Sequence, residues 1–197
     1  MSTPDFIGVY DDALSSEECE ELISFFESSP KMQGGVSKIG EGFQIDPKLK
    51  SNIELNGISV SDTPIISERI RKYVSKYVEE YQSLTHIYPC DLVEEYTFQK
   101  FQYYGDGYKA WHTEHIPPEP MNRRVLVWMF YLNNVTDKGG TRFPQQNITL
   151  KARAGDLYIW PAYFTHSHYG IASPTQIKYI ATGWVSFYID PNKKGCY

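Results

Sequence analysis

Two short segments in the second half of the chain contain residues that could bind a metal, and the first is Trp111-His112-Thr113-Glu114-His115. Side chains two residues apart on a β-strand point to the same face. His112 and Glu114 are therefore expected to share a face, with His115 opposite. One histidine and one carboxylate are two of the three ligands of the facial triad that binds non-haem iron. Taken alone, the pair is better explained as ordinary polar residues of a partly exposed strand, because acidic residues are common here (24 of 197).

The second segment, Thr165-His166-Ser167-His168, offers a further histidine ligand. His166 and His168 would share one face of a strand, so alternation does not choose between them. The turn Ala172-Ser173-Pro174 follows, and Lys178 then opens an apolar strand. Such a strand–turn–strand unit can bring His168 and Lys178 into one cavity.

Lys178 needs an explanation of its own, because a lysine in a run as apolar as Tyr179-Ile180-Ala181 is costly to bury without an anion. It could extend to solvent, pair with a protein carboxylate, or bind the carboxylate of a ligand. Two histidines, one carboxylate and one cation match a 2-oxo acid chelated to non-haem iron, with one position left for O₂. The alternatives are a zinc or manganese enzyme for hydrolysis or isomerisation, and a non-catalytic sugar-binding or cupin-like jelly-roll module.

The elements that would carry these residues are strands. Aromatic residues make up 15% of the chain, including 16 tyrosines. Turn signals such as Lys138-Gly139-Gly140 separate short apolar runs, which is typical of a jelly roll or barrel. The predicted strands cover residues 93–103, 109–115, 124–132, 141–143, 148–152, 156–160, 165–170 and 177–187.

The first half predicts two helices that support the sheet. Ser15 and Glu18 form a capping-box pattern before the first helix. Thr63 and Pro64 are typical of the N-cap and first position of the second. Residues 31–57, with five glycines, are either a long loop that could act as a lid or a pair of weak strands. We predict a single domain over residues 1–197, with residues 1–90 as helical support and loop and residues 91–190 as the catalytic jelly roll.

Composition excludes several classes of protein. A net charge of −5 without basic runs makes nucleic acid an unlikely partner. The longest apolar stretches are far shorter than the roughly 20 residues of a membrane span, and the first residues lack the pattern of a secretory signal. Three widely spaced cysteines do not form a disulfide framework and favour a reducing compartment, so we predict a cytoplasmic protein without a membrane partner. The sequence gives no indication of oligomeric state.

The ordered motifs of the second half resemble the iron(II)/2-oxoglutarate dioxygenases of the prolyl 4-hydroxylase type, in the style of short viral and bacterial members. No single motif is specific, but the set follows the family's order. The motifs cover residues 105–114, 124–134, 139–144, 155–161 and 165–184.

The resemblance implies a metal and co-substrate site. His112 and Glu114 would be the first two iron ligands. His168 would be the third, because the family's basic residue lies ten positions after its distal histidine, as Lys178 does here; His166 would be a neighbour. Lys178 would bind the distal carboxylate of 2-oxoglutarate.

Further positions follow from the same resemblance. Thr141 and Tyr103 would support the distal carboxylate, although Tyr104 offers a second register. Arg124 falls where the family has an arginine implicated in peptide binding, and Trp184 falls on a pocket-lining aromatic.

The resemblance implies a double-stranded β-helix (jelly roll) with flanking helices. The implied activity is hydroxylation of an unactivated C–H bond with Fe(II), 2-oxoglutarate and O₂, and the family also admits ascorbate. Peptidyl proline in a peptide or protein is the substrate that the resemblance implies, with other amino acids and small molecules as alternatives. Most prolyl hydroxylases have aspartate where this chain has Glu114, which weakens the transfer of substrate identity more than that of metal chemistry.

Overall fold

Two α-helices and fifteen short strands are found in the described part of the computed structural model, which comprises residues 5–38, 42–59, 61–86, 90–91, 95–102, 105–117 and 121–187. The helices are α1 (Ser16–Ser28) and α2 (Pro64–Glu80). The strands are β1 (Gly8–Tyr10), β2 (Met32–Gln33), β3 (Val36–Lys38), β4 (Gly42–Gln44), β5 (Lys50–Ser51), β6 (Ile53–Ile58), β7 (Cys90–Asp91), β8 (Tyr96–Phe101), β9 (Gly107–Tyr108), β10 (Arg124–Tyr131), β11 (Thr141–Phe143), β12 (Ile148–Leu150), β13 (Leu157–Pro161), β14 (Tyr169–Gly170) and β15 (Lys178–Phe187). Short 3₁₀ turns cover Gln82–His86, Met121–Arg123 and Phe164–His166. None of the described helices has both the length and the apolar character needed to cross a membrane.

The two helices begin where the sequence predicts. The Ser15 side chain accepts from the Glu18 backbone N–H, and the Glu18 carboxylate accepts from the Ser15 N–H, so the capping box is formed. Thr63 is the N-cap residue of α2, but its hydroxyl bonds the hydroxyl of Tyr96 rather than a helix N–H. The second helix is therefore joined to the sheet through the residue that was expected to cap it.

The largest sheet is built around β10. Its strand order is β1-β13-β10-β15-β8-β6-β2, and β7 also pairs with β15. All eight residues of β10 are buried, because both faces of the sheet are covered. Leu126, Trp128 and Phe130 pack in the core that includes the helices, whereas Val127 and Met129 belong to a second core on the other face.

A three-stranded sheet, in the order β12-β11-β14, contributes to this second core. Phe143 of β11 and Leu150 of β12 are buried there with Trp160 of β13. A cavity of about 230 Å³ is lined by residues of both sheets. Alternation along the strands of the large sheet thus divides its side chains between a core with the helices and a face that lines the cavity.

Two predicted strands are wrong. Residues 109–115 contain a single isolated bridge, between His112 and His168, instead of a strand. Residues 165–170 begin in a 3₁₀ turn and only then enter β14. For residues 31–57 both the loop and the pair of strands are too simple, since the described residues form the five short strands β2 to β6, of which β6 joins the large sheet beside β8.

Candidate metal centre and its cavity

Three of the sequence-predicted residues, His112, Glu114 and His168, meet in the cavity with one ligand atom each within 4.8 Å of the others. Glu114 Oε1 lies 3.4 Å from His112 Nε2 and 3.9 Å from His168 Nε2. Two imidazole nitrogens and one carboxylate oxygen converging in this way form a donor set that suits Fe(II) and leaves further coordination positions open.

The main chain holds these residues in place. The backbone N–H of His112 donates to the His168 carbonyl, and the N–H of His168 donates to the His112 carbonyl, both at 3.0 Å. The carbonyl of Ala162 accepts from the backbone N–H groups of Glu114 and His115 at 3.1 and 2.9 Å. The segment from 112 to 115 is thereby fixed against the strand that ends at Pro161 without being a strand itself.

Both histidines present the ring nitrogen that a metal would need. His112 Nδ1 lies 2.9 Å from the Ala110 carbonyl, and His168 Nδ1 lies 3.0 Å from the His166 carbonyl. A carbonyl can only accept, so each Nδ1 carries the proton and each Nε2 keeps its lone pair toward the cavity. Burial, followed by the nearby His112, lowers the pKa of His168 to about 3, which keeps its imidazole neutral.

Aromatic rings orient the two imidazoles. The Tyr108 ring stacks on His112 with centroids 3.6 Å apart and an interplanar angle of 9°. Phe143 stacks on His168 at 5.2 Å, and Trp160 meets the same ring edge-on at 5.1 Å. The rotamers of both candidate ligands are therefore restricted by packing as well as by hydrogen bonds.

Glu114 is held as a carboxylate. Burial alone would raise its pKa, but the contacts with His112, His168 and Arg124 outweigh burial and lower the pKa to about 2. Glu114 Oε2 accepts from Arg124 Nη1 at 3.3 Å and from Trp184 Nε1 at 3.1 Å. Arg124 and Trp184 thus line the cavity beside the metal cluster, where each donates to Glu114.

Lys178 is buried at the start of β15, with 3% of its surface exposed. Its ammonium donates to the backbone carbonyls of Gly139 at 3.0 Å and Ile171 at 3.4 Å and lies 4.5 Å from the centre of the Phe101 ring. Among the described residues, no carboxylate lies within ion-pair distance of this ammonium. Burial lowers the pKa of Lys178 to about 8, so it remains mostly charged at neutral pH.

Alternate residues of two paired strands carry the cavity wall from Lys178 to the metal cluster. On β15 the lining residues after Lys178 are Ile180, Thr182 and Trp184, and on β10 Val127, Met129 and Tyr131 stand opposite the last three in reverse order. The Tyr131 hydroxyl lies 2.8 Å from Thr141 Oγ1, and both residues are buried. The cavity lining therefore includes the bonded hydroxyl groups of Tyr131 and Thr141 and the ammonium of Lys178.

Sequence reasoning missed several residues of the cavity. Tyr131 could have been found from alternation along β10, whereas the predicted Tyr103 lies outside the described residues. A buried ion pair, Lys50 Nζ to Glu54 Oε1 at 2.5 Å, also lines the cavity. No local pattern indicated this pair, because β5 and β6 reach the cavity only by pairing with β9 and β8.

His166 lies apart from the cluster, which corrects the expectation that His166 and His168 share a strand face. His166 belongs to the 3₁₀ turn, and its Nε2 lies 2.8 Å from the Asp5 carbonyl. Burial lowers the pKa of His166, so this histidine is a neutral structural residue.

A family model described as the 2OG-Fe(II) oxygenase superfamily matches residues 99–186. The match includes all three residues of the metal cluster and Lys178. A domain of this family implies Fe(II), 2-oxoglutarate and O₂. No curated protein sequence matches the chain significantly.

Solved structures of prolyl hydroxylases share the fold. The viral collagen prolyl hydroxylase of Paramecium Bursaria Chlorella virus-1, in a 2OG complex, superposes with a TM-score of 0.66 at 16% identity over 93% of this chain and 97% of that chain. A Trichoplax adhaerens prolyl hydroxylase in complex with a peptide fragment of the hypoxia inducible factor oxygen degradation domain gives 0.68 at 15% identity, over 92% and 84%. A Pseudomonas putida prolyl-4-hydroxylase gives 0.65 at 14% identity, over 91% and 92%. The predicted jelly-roll fold is confirmed by these structures, and the family match supports a 2-oxoglutarate- and Fe(II)-dependent oxygenase domain over residues 99–186.

Proposed function

We propose that this oxygenase domain hydroxylates prolyl residues of a peptide or protein, with iron held by His112, Glu114 and His168. One observation carries the proposal: a three-ligand cluster and a buried lysine without a carboxylate partner among the described residues line one cavity. A non-catalytic jelly-roll module has no use for that combination. A hydrolase with the same ligands has no use for the buried cation.

The residues present fit an iron site. Both Nε2 atoms keep their lone pairs because backbone carbonyls engage both Nδ1 atoms, and Glu114 is a carboxylate at neutral pH. Three protein ligands leave room for a chelating 2-oxo acid and O₂. Iron would supply the oxidative decarboxylation of 2-oxoglutarate to succinate and CO₂ that is coupled to C–H hydroxylation.

The co-substrate pocket would be formed by Lys178, Thr141 and Tyr131. Lys178 would provide the positive charge for the distal carboxylate of 2-oxoglutarate, and the two hydroxyl groups would provide neutral hydrogen bonds. The apolar side chains of Met129 and Ile180 line the same wall and would exclude water from the chain of the co-substrate.

A peptide is the substrate class that we favour, and proline is the residue within it. A relative of the same fold was solved with a peptide fragment bound, and the other neighbours named above are prolyl hydroxylases. The Lys50–Glu54 pair lines the same cavity and would provide polar groups that suit peptide amides. Ascorbate as an accessory reductant and a cytoplasmic location are also part of the proposal; the first rests on family resemblance and the second on sequence composition.

The test is turnover on a panel of substrates. Proline-rich peptides, free proline and a nucleoside would be incubated with Fe(II), 2-oxoglutarate and O₂, with hydroxylation read by mass shift and succinate by quantitative chromatography. We expect one hydroxylation per succinate on peptidyl proline and none with Glu114→Ala. Hydroxylation of free proline or a nucleoside, with no reaction on any peptide, would support the oxygenase activity but rule out a peptide as the substrate.

A further inference from the structure

We propose that Arg124 and Trp184 are positioning residues that hold one oxygen of Glu114 and thereby direct its other oxygen to the metal. The inference rests on the proposed function, since it concerns the carboxylate of the proposed iron site. It gives a different role to two residues that family resemblance assigned to peptide binding and to the lining of the pocket.

The two oxygens of Glu114 have different partners. Oε2 accepts from Arg124 Nη1 at 3.3 Å and from Trp184 Nε1 at 3.1 Å. Oε1 faces the two imidazoles, 3.4 Å from His112 Nε2 and 3.9 Å from His168 Nε2. One oxygen is therefore held by protein donors while the other lies among the candidate ligands, which is the arrangement of a carboxylate that binds through a single oxygen.

Arg124 and Trp184 also hold each other. The guanidinium carbon lies 3.4 Å from the centre of the Trp184 ring, so the planar fork of Arg124 stacks on the indole face. Arg124 is 9% exposed and Trp184 is partly buried. The two donors thus form a rigid unit that reaches Glu114 from one side.

An irregularity in the large sheet brings Arg124 to this position. Between β10 and β15, Arg124 pairs with Ser186 and Leu126 pairs with Val185, so β10 contains one extra residue. Strict alternation from Leu126 would direct Arg124 into the core with the helices. The bulge turns it instead to the face that carries Trp184, as bulges commonly re-aim a side chain beside an active site.

The length of the Glu114 side chain explains why the contacts with Arg124 and Trp184 would matter. Glutamate has one more rotatable bond than aspartate, so a free Glu114 side chain would sample more orientations and lose more entropy on binding a metal. Two donors on Oε2 select one orientation before the metal arrives. Groups that orient a ligand in this way typically change metal affinity 10- to 100-fold when they are removed.

The experiment measures metal binding without turnover. Trp184→Phe keeps a ring for Arg124 to stack on but removes the N–H donor, and Arg124→Met removes the fork. We expect each variant to raise the Kd for Mn(II) and for anaerobic Fe(II) by roughly 10- to 100-fold. The double variant should fall short of the product of the two factors, because both residues act on the same oxygen.

Two matched controls change the same residue types elsewhere. Trp128→Phe alters an indole that lies in the core with the helices and outside the cavity, and Arg142→Lys alters an arginine that bonds Asn147 and Thr149. Both should leave the Kd for Mn(II) within about twofold. If Arg124→Met fails to fold by circular dichroism, Arg124→Lys replaces it, since lysine keeps the charge and lacks the fork.

The outcomes separate this inference from the proposed function. An unchanged or tighter Kd in folded Trp184→Phe and Arg124 variants would overturn the positioning role while leaving the metal site intact. Equal losses in the two controls would also overturn it, because the effect would then be general. A wild-type protein that binds neither metal would overturn both the positioning role and the iron site.

Discussion

His112 and His168 are joined by two reciprocal backbone hydrogen bonds of 3.0 Å, although neither belongs to a strand. These main-chain bonds fix the separation of the two backbones, and therefore the points from which the two imidazole side chains extend into the cavity. A metal site built on such a bridge is largely formed before the metal binds, which lowers the conformational cost of binding.

The first prediction concerns which histidines bind iron. His168→Ala should abolish Fe(II) binding and turnover, because it removes one of three ligands, whereas His166→Ala should keep most of the metal because its ring bonds Asp5 instead. Equilibrium dialysis with metal analysis measures both. Retention by the first variant and loss by the second would show that the ligand is His166 and not His168.

The second prediction concerns the charge of Lys178. Lys178→Met keeps the length of the side chain and leaves the co-substrate carboxylate unpaired in a buried site. Such a loss costs about 3–5 kcal/mol, so the Kd for 2-oxoglutarate should rise by more than about a hundredfold. Calorimetry with Mn(II)-loaded protein measures this Kd, and Lys151→Met on the exposed surface is the matched control. A rise of the Kd below about threefold would show that Lys178 does not bind the carboxylate of the co-substrate.

The third prediction is a pH dependence with a defined sign. Burial lowers the pKa of Lys178 to about 8 in the free protein, and only its protonated form attracts a carboxylate. The affinity for 2-oxoglutarate should be level below about pH 8 and weaken above it, by up to about tenfold per pH unit. Lys178→Arg stays charged and should show no such decline. A decline of the same size in this variant would assign the titration to another group.

The fourth prediction separates two tyrosines. If the Tyr131 hydroxyl, which bonds Thr141, also bonds the co-substrate, Tyr131→Phe removes a hydrogen bond to a charged group. That bond is worth about 1.5–3 kcal/mol, so the Kd for 2-oxoglutarate should rise at least about tenfold. Tyr103→Phe, measured alongside, tests the residue suggested by family resemblance. An effect confined to Tyr103→Phe would return the supporting role to that position.

The fifth prediction concerns stability. Glu54→Ala would leave Lys50 buried without its partner and should lower the free energy of unfolding by about 3–5 kcal/mol. Urea unfolding measures the loss, and a Lys50→Met/Glu54→Leu double variant should recover most of it. Glu68→Ala breaks an exposed pair with Arg69 and should cost less than about 1 kcal/mol. Equal losses of unfolding free energy in the two glutamate variants would mean that burial does not determine how much the Lys50–Glu54 pair contributes to stability.

Residue types and local spacing are sufficient to predict much of this molecule. The capping box at Ser15 and the apolar run of β10 depend on near neighbours, and both follow from the sequence. Side-chain chemistry indicates His112, Glu114 and Lys178 as candidates, family resemblance selects His168 over His166, and all four residues line one cavity.

The features that sequence reasoning missed depend on contacts between distant segments. The loop around His112 resembles a strand in sequence but is held by a bridge to His168 and by the Ala162 carbonyl. The face on which Arg124 lies is decided by a bulge that no sequence pattern marks. The Lys50–Glu54 pair enters the cavity only through strand pairing across the chain.

The burial of Lys178 would make the proposed co-substrate a stabiliser of the folded chain. The folded chain holds an ammonium that the described residues do not pair with a carboxylate, so the bound dicarboxylate would complete the fold as well as take part in the reaction. A ligand at a hundred times its Kd adds about 2.7 kcal/mol to stability. Protein saturated with 2-oxoglutarate would then unfold less often, and would be cleaved more slowly by proteases, than the free protein.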